Sequence, residues 1–372
     1  MNVYQELQKD NSMKILCSCM LVLAFISCGE HKPTSCDAVH IDLSGSVGDS
    51  LFVSDWIAPL EIIALETTEE SLLGSVDKLV ECDGKYYVLD RMRKCILLFA
   101  ENGKFLRSIG RVGQGPGEYP DLYDFVVDVN TGRLYLLTEA SVIYAYNGDG
   151  RFLWKKKISN SLLWNIGCNG DGFVCSSNHL TYTSGEDAYL IYRFDASFQE
   201  QDRSVKVFEK QVSSPLLISA PFQKWNGVSC YVDSRSNVVY SLHDEEVMPS
   251  LKLGFTSPMP IEYFADAGLF MVNQQNYDFL METFFSGNFM WVSYIHGGGH
   301  HTAIVELAGN RVVANGKTIG VLPKVYQSGE YLLSPVSAEE YLKSCEHLDN
   351  LQKRTVTFDD NHLILKWKVR NK

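Results

Sequence analysis

Several of the short motifs that announce a particular chemistry are absent from these 372 residues. There is no Gly-x-Ser-x-Gly to mark a nucleophile elbow and no His-Glu-x-x-His to mark a zinc-protease helix. Cys-x-x-Cys does not occur, which removes support for a redox pair or a zinc ribbon. Basic residues are outnumbered: 33 Lys and Arg against 45 Asp and Glu leave a formal net charge of −12. The one uninterrupted basic triplet is Lys155-Lys156-Lys157, inside an expected strand, where it reads as an edge guard. Nucleic acid is therefore not an expected partner, because phosphate binding needs clustered cations. Long apolar runs are missing too. Ile15–Ser27 is thirteen residues, too short for a helix to cross a hydrocarbon core of about 30 Å.

What is present is a phrase of strands and turns, fullest between Gly110 and Ile158. A glycine-rich loop, Gly110-Arg111-Val112-Gly113-Gln114-Gly115-Pro116-Gly117-Glu118-Tyr119, leads into an expected strand, Leu122–Val129. Asn130-Thr131-Gly132 turns into Leu134–Thr138, Val142–Tyr146 follows, and Asn147-Gly148-Asp149-Gly150 turns into Phe152–Ile158. Apolar runs bounded by Gly, Asn and Asp are the mark of hairpins, and four in a row make an antiparallel meander, the unit of a β-propeller blade. An upstream copy runs from Asp83-Gly84 through Asn102-Gly103-Lys104-Phe105. Gly84 to Gly132 is 48 residues and Phe105 to Phe152 is 47, so the chain repeats with one period.

The Gly110–Tyr119 loop with its following Gly-x-Leu-Tyr hairpin resembles NHL-type repeats. Together with Ile63-Ala64-Leu65-Glu66-Thr67-Thr68 before the first blade, the chain is more closely similar to the 6-bladed β-propeller lipoproteins of Bacteroidetes, over roughly residues 60–158. The resemblance implies a propeller in the cell envelope and no settled activity.

The amino end fits that implication. Met13-Lys14, the apolar run and Phe25-Ile26-Ser27-Cys28 form a secretory signal of lipoprotein type, with Met13 the expected start and Cys28 the expected site of lipidation. Residues 1–27 are the expected signal peptide, 28–38 a tether and 39–372 an all-β, six-bladed propeller. Hairpin markers at Gly84, Gly132, Gly172, Asn237, Asn288 and Asn361 count six blades. Insertions are expected within Thr256–Thr283, where the spacing is partly helical, and after Ser337-Ala338-Glu339-Glu340, a capping box opening a helix through Leu351. The apolar stripe of that helix (Tyr341, Leu342, Cys345, Leu348) reads as core. The last blade reads as two strands short, Thr355–Phe358 and Leu363–Val369, with Val39–Leu43 and Trp56–Leu65 available to close the ring.

Candidate functional residues are few. The glycine-rich loop Gly113–Gly117 reads as a linker between blades, since no helix and no Gly-Lys-Ser/Thr follow it. Glu118, Tyr119, Asp121 and Asp124 could line the rim as a polar cluster for a ligand. His296-Gly297-Gly298-Gly299-His300-His301 reads as a glycine loop between Phe289–Ile295 and Thr302–Leu307. Its three histidines could contact a ligand, but with no carboxylate or cysteine fixed beside them no metal site is expected. Cys168 and Cys175 flank a turn and could be joined as a disulfide or act as small buried hydrophobes. No cofactor is indicated. The function expected is an exported, lipid-anchored module binding a protein, small molecule or glycan over one end of the channel. The alternative is a hydrolase or lyase with acids and histidines at that mouth.

Overall fold

The computed structural model describes residues 38–45, 48–178, 189–207, 221–243, 246–320, 324–344 and 355–370. The expected signal, Cys28, the tether up to residue 37, and residues 345–351 of the helix expected from the capping box lie outside them.

Six antiparallel sheets form a six-bladed propeller ring. Blade 1 comprises Lys78–Cys82, Lys85–Asp90, Cys95–Ala100 and Phe105–Ile109; blade 2 comprises Leu122–Asp128, Arg133–Thr138, Val142–Tyr146 and Phe152–Lys157. Blade 3 is Asn165–Asn169, Gly172–Ser176, Tyr189–Phe194 and Glu200–Lys206; blade 4 is Phe222–Trp225, Val228–Asp233, Val238–Leu242 and Val247–Gly254. Blade 5 is Phe279–Ser286, Phe289–His296, Gly299–Glu306 and Arg311–Ile319. Blade 6 takes Tyr326–Ser328, Tyr331–Val336 and Leu363–Val369 from the carboxyl side and Ile57–Ala64 from the amino side.

Burial follows position in the blade. The second and third strands are sandwiched on both faces and read as continuous apolar runs, as in Cys95–Ala100, CILLFA. Fourth strands alternate, as in Phe152–Lys157, FLWKKK. The lysine triplet sits there on the outer edge, and Lys156 Nζ donates to the carbonyls of Ser197 (2.8 Å) and Phe198 (3.0 Å) of blade 3. The core lies between blades. Blades 1 and 2 interleave Tyr87, Leu98, Phe125 and Leu136; blades 2 and 3 interleave Tyr135, Leu137, Phe173 and Phe198, the last two rings stacked at 4.2 Å. First strands of neighbouring blades touch one another, which places them innermost.

The ring is closed by amino-terminal strands, but not by two in one blade. Ile57–Ala64 alone pairs with Leu363–Val369, from Ala64 opposite Leu363 to Ile57 opposite Val369. Val39–Asp42 instead adds a parallel fifth strand to blade 4, and Gly48–Phe52 does the same for blade 5. Two hairpin markers also move. The first hairpin of blade 4 turns at Asn226-Gly227, and Asn237 belongs to the next turn. The first hairpin of blade 6 turns at Gly329, between Tyr326–Ser328 and Tyr331–Val336, so residues 355–357 are not a strand. Asn361 is a clamp. Its buried amide donates to the carbonyls of Glu66 (3.1 Å) and Ser71 (2.8 Å) and accepts from Leu73 N–H (3.2 Å).

The two insertions are as the spacing suggests. Ile261–Ala265 is a 3₁₀ turn, and Ala267–Asn273 is a helix capped by Asp266, which accepts from Gly268 and Leu269 N–H. Ala338–Ser344 starts with the capping box: Ser337 Oγ accepts from Glu340 N–H, and the Glu340 carboxylate accepts from Ser337 N–H. Tyr341 is fully buried beside Ile62 and Val336. Cys168 and Cys175 are both free thiols; Cys168 opposes Phe173 and Cys175 opposes Ile166, so the two are diagonal rather than facing.

Candidate functional site

Alternation of strand direction puts the start of every first strand and the turn between second and third strands at the same face of the ring. All seven residues singled out from the sequence belong to this face, yet they do not form one cluster. Glu118 bends onto its own loop, accepting from Arg111 Nε (2.6 Å) and Gly115 N–H (2.8 Å), and those bonds hold its carboxyl below the usual range. Tyr119 is fully buried and donates to the Lys94 carbonyl (2.9 Å). Asp121 is half-exposed and 3.3 Å from Lys94 Nζ.

Asp124 is buried and saturated. It accepts from Lys78 Nζ (2.8 Å), from its neighbour Phe125 N–H (2.8 Å) and from Ile166 N–H (2.8 Å). Lys78 Nζ also donates to the carbonyls of Phe125 (2.7 Å) and Ile166 (3.2 Å). One ion pair thus stitches the first strands of blades 1, 2 and 3 across the channel wall.

The histidines are strand residues. Gly297 (φ 54) and Gly298 (φ 74) make a two-residue turn that only left-handed backbone allows, so His296 opposes Gly299 and His301 opposes Tyr294. His296 and His301 share one sheet face, ring centroids 5.1 Å apart, while His300 lies on the other. Asp278, buried just before the first strand of blade 5, accepts from Ser257 N–H (2.9 Å) and pairs with His296 Nδ1 (2.8 Å). Burial lowers the affinity of His301 for a proton. His300 lines a cleft of about 630 Å³ beside Met271, Val272 and Gln275 of the blade 4–5 insertion. Among the described residues no three His, Cys, Asp or Glu side chains are placed to hold a metal ion.

The same face holds a group that the sequence did not reveal. At the seam of blades 3 and 4, Asn165 is 1% exposed and neither its Nδ2 nor its Oδ1 has a hydrogen-bond partner. It opposes Ser176, whose hydroxyl donates to Tyr231 Oη (2.8 Å) and accepts from Asn178 N–H (2.9 Å). Asn178 Nδ2 has no partner either. Arg235, 3% exposed, spends Nη1 on the Asn178 carbonyl and leaves Nε and Nη2 unpartnered. Desolvation lowers its pKa, with Asp233 opposing. Next to Asn165 on the blade 2 side, Trp164 stacks on Tyr123 (4.3 Å, 26°), and Arg91 donates to the Tyr123 carbonyl (2.7 Å). A polar residue closing the apolar run Leu162-Leu163-Trp164 was the only sequence sign of this seam.

Fold and face together define a six-bladed propeller with a polar seam at the end where its first strands begin. The sequence belongs to the family described as a domain of unknown function, DUF4934, which matches residues 38–368. No functionally curated protein matches it. Among solved structures it is similar to a protein thought to be exported, from Bacteroides fragilis NCTC 9343, at 16% identity and TM-score 0.71 over 90% of this chain and 100% of that one. It is also similar to a DUF4221 family member from Bacteroides vulgatus ATCC 8482, at 10% identity and TM-score 0.57 over 85% and 98% of the two chains.

Proposed function

We propose that this propeller is an exported, envelope-anchored module that binds a small polar ligand at the face where its first strands begin, over the seam of blades 3 and 4. The observation that carries the reading is the buried, unpartnered set Asn165, Asn178 and Arg235. A buried polar group without a partner costs about 1–3 kcal/mol, more if charged. Native folds keep such groups where something else completes them, and functional sites are where they collect. Anchoring rests on Met13–Cys28 alone, and export on that segment together with the likeness to the Bacteroides fragilis protein thought to be exported.

The test is a thermal-shift screen of mono- and oligosaccharides, their acids and small metabolites against wild type and Asn165→Leu. A compound that raises the wild-type midpoint and fails with the variant supports the reading; a compound shifting both equally places binding elsewhere.

One observation favours catalysis instead: Asp278 Oδ1 lies 2.8 Å from His296 Nδ1 and orients a partly exposed imidazole, as a general base requires. Hydrolysis of chromogenic glycosides or lactones that is lost in His296→Gln would support that second reading.

A further inference from the structure

Arg235 carries the seam one step further, on the condition that the seam is a ligand site at all. Of the guanidinium edges, Nη1 is committed to the Asn178 carbonyl, and the two atoms left over are Nε and Nη2. Those two N–H bonds are parallel and lie on one edge, the fork that matches the paired oxygens of a carboxylate. Backbone carbonyls and hydroxyls offer single oxygens, so a fork left open in a buried arginine suits an anion with paired oxygens, and a lone guanidinium with the Asp233 charge close by suits a singly charged carboxylate better than a phosphate. Asp233 does not fill it. Its Oδ1 accepts from the Arg235 backbone N–H (3.2 Å) and its Oδ2 from Ser236 Oγ (2.6 Å), and its charge acts on the guanidinium without a hydrogen bond to Nε or Nη2.

The neighbours suit the rest of such a ligand. Asn178 Nδ2 is a free donor beside Arg235, and Asn165 offers one free donor and one free acceptor further along the seam. Ser176 and Tyr231 are already hydrogen-bonded to each other and hold the wall behind them. The chain's net charge of −12 makes non-specific attraction of anions a poor explanation of these unpartnered donors, because the surface at large repels anions.

We infer that the blade 3–4 seam receives a carboxylate-bearing ligand, its carboxylate side-on to Arg235 Nε and Nη2 and its uncharged polar groups on Asn178 and Asn165. Acidic sugars and other hydroxy acids have that layout.

The experiment uses the full chain labelled with ¹⁵N at arginine Nε, with the Arg235 resonance assigned by its loss in Arg235→Lys or, if that variant fails to fold, Arg235→Gln. Acetate, glucuronate, glucose and inorganic phosphate are titrated at ionic strength held constant with chloride. The expected result is a saturable downfield shift of Arg235 Nε–H with acetate and more tightly with glucuronate, none with glucose, and at least tenfold weaker glucuronate binding in Arg235→Lys. Glucose binding as well as glucuronate with Arg235 unmoved would overturn the carboxylate assignment while leaving the ligand site. Phosphate saturating the fork in preference to both acids would overturn it as well. No shift with any of the four would remove the anion site, and the separate saccharide screen would then decide whether the seam binds anything.

Discussion

Lys78 Nζ of blade 1 lies 2.8 Å from Asp124 Oδ1 of blade 2, and each partner also bonds to the backbone of blade 3 at Ile166. The pair is nearly closed to solvent, with side chains 13% and 1% exposed. Removing one partner strands the other charge, which costs about 3–5 kcal/mol for a buried pair. Lys78→Met and Asp124→Leu should each lose about that much in urea unfolding. The double variant should recover most of it, because no charge is left uncompensated. Equal, additive losses would mean that the two residues act separately.

Closure of the ring places Asn361 where three backbone groups of the Glu66–Leu73 turn depend on it. Asn361→Ala leaves them without partners and should cost about 2–4 kcal/mol. Trp367, 2% exposed in the third strand of blade 6 with its indole N–H on Ser334 Oγ (2.9 Å), should cost about 3–5 kcal/mol as Trp367→Ala. Both losses belong in unfolding, measured by guanidinium titration. A change under 1 kcal/mol in both would contradict closure through this blade.

Three titratable groups give stability opposing pH slopes, Glu282 against His301 and His362. Burial pushes the Glu282 carboxyl up to about 7, with Lys324 pulling it down. A raised acid contributes stability below its unfolded range and loses it as pH rises through about 7. Glu282→Gln should therefore match wild type near pH 5 and exceed it near pH 8 by roughly 1–2 kcal/mol, allowing for its partial exposure. Burial lowers His301 and His362, whose contribution is present above about 6.5 and is lost as pH falls below it. Replacing His301 with Phe should flatten the acid limb of the melting profile and leave the alkaline limb alone.

The parts of the fold legible in the sequence were those where one residue type has one geometric job. Gly84 and Gly132 sit at φ 65 and φ 64 in first hairpins, and they marked blades 1 and 2 directly. Blade 6 was harder because its first strand is only Tyr326–Ser328, and a stretch near Asn361 imitated a turn. Asn226-Gly227 is a strong hairpin signal that the spacing argument passed over in favour of Asn237. The parallel strands on blades 4 and 5 have no local signature, because register across the ring is a tertiary property. The site was less legible still. Glu118 and Asp124 look like ligand residues in one dimension but are satisfied by Arg111 and Lys78 in three. Arg235 sits in a Ser-rich turn that reads as solvent-exposed, and nothing in the sequence shows that the molecule buries it.

The proposed anchor is checked independently of the fold. Cells expressing wild type or Cys28→Ala and fed labelled palmitate should show label on wild type alone, and the variant should leave the membrane fraction. Equal labelling of the two would remove the lipoprotein reading.

The most direct measurement is a crystal structure of the protein with the tightest compound from the saccharide and acid screen. Density is expected at the blade 3–4 seam, with ligand oxygens within hydrogen-bonding distance of Arg235 Nε and Nη2 and of the Asn165 amide. Density seated in the cleft beside His300 and Met271, with Asn165 and Arg235 still unpartnered, would contradict it.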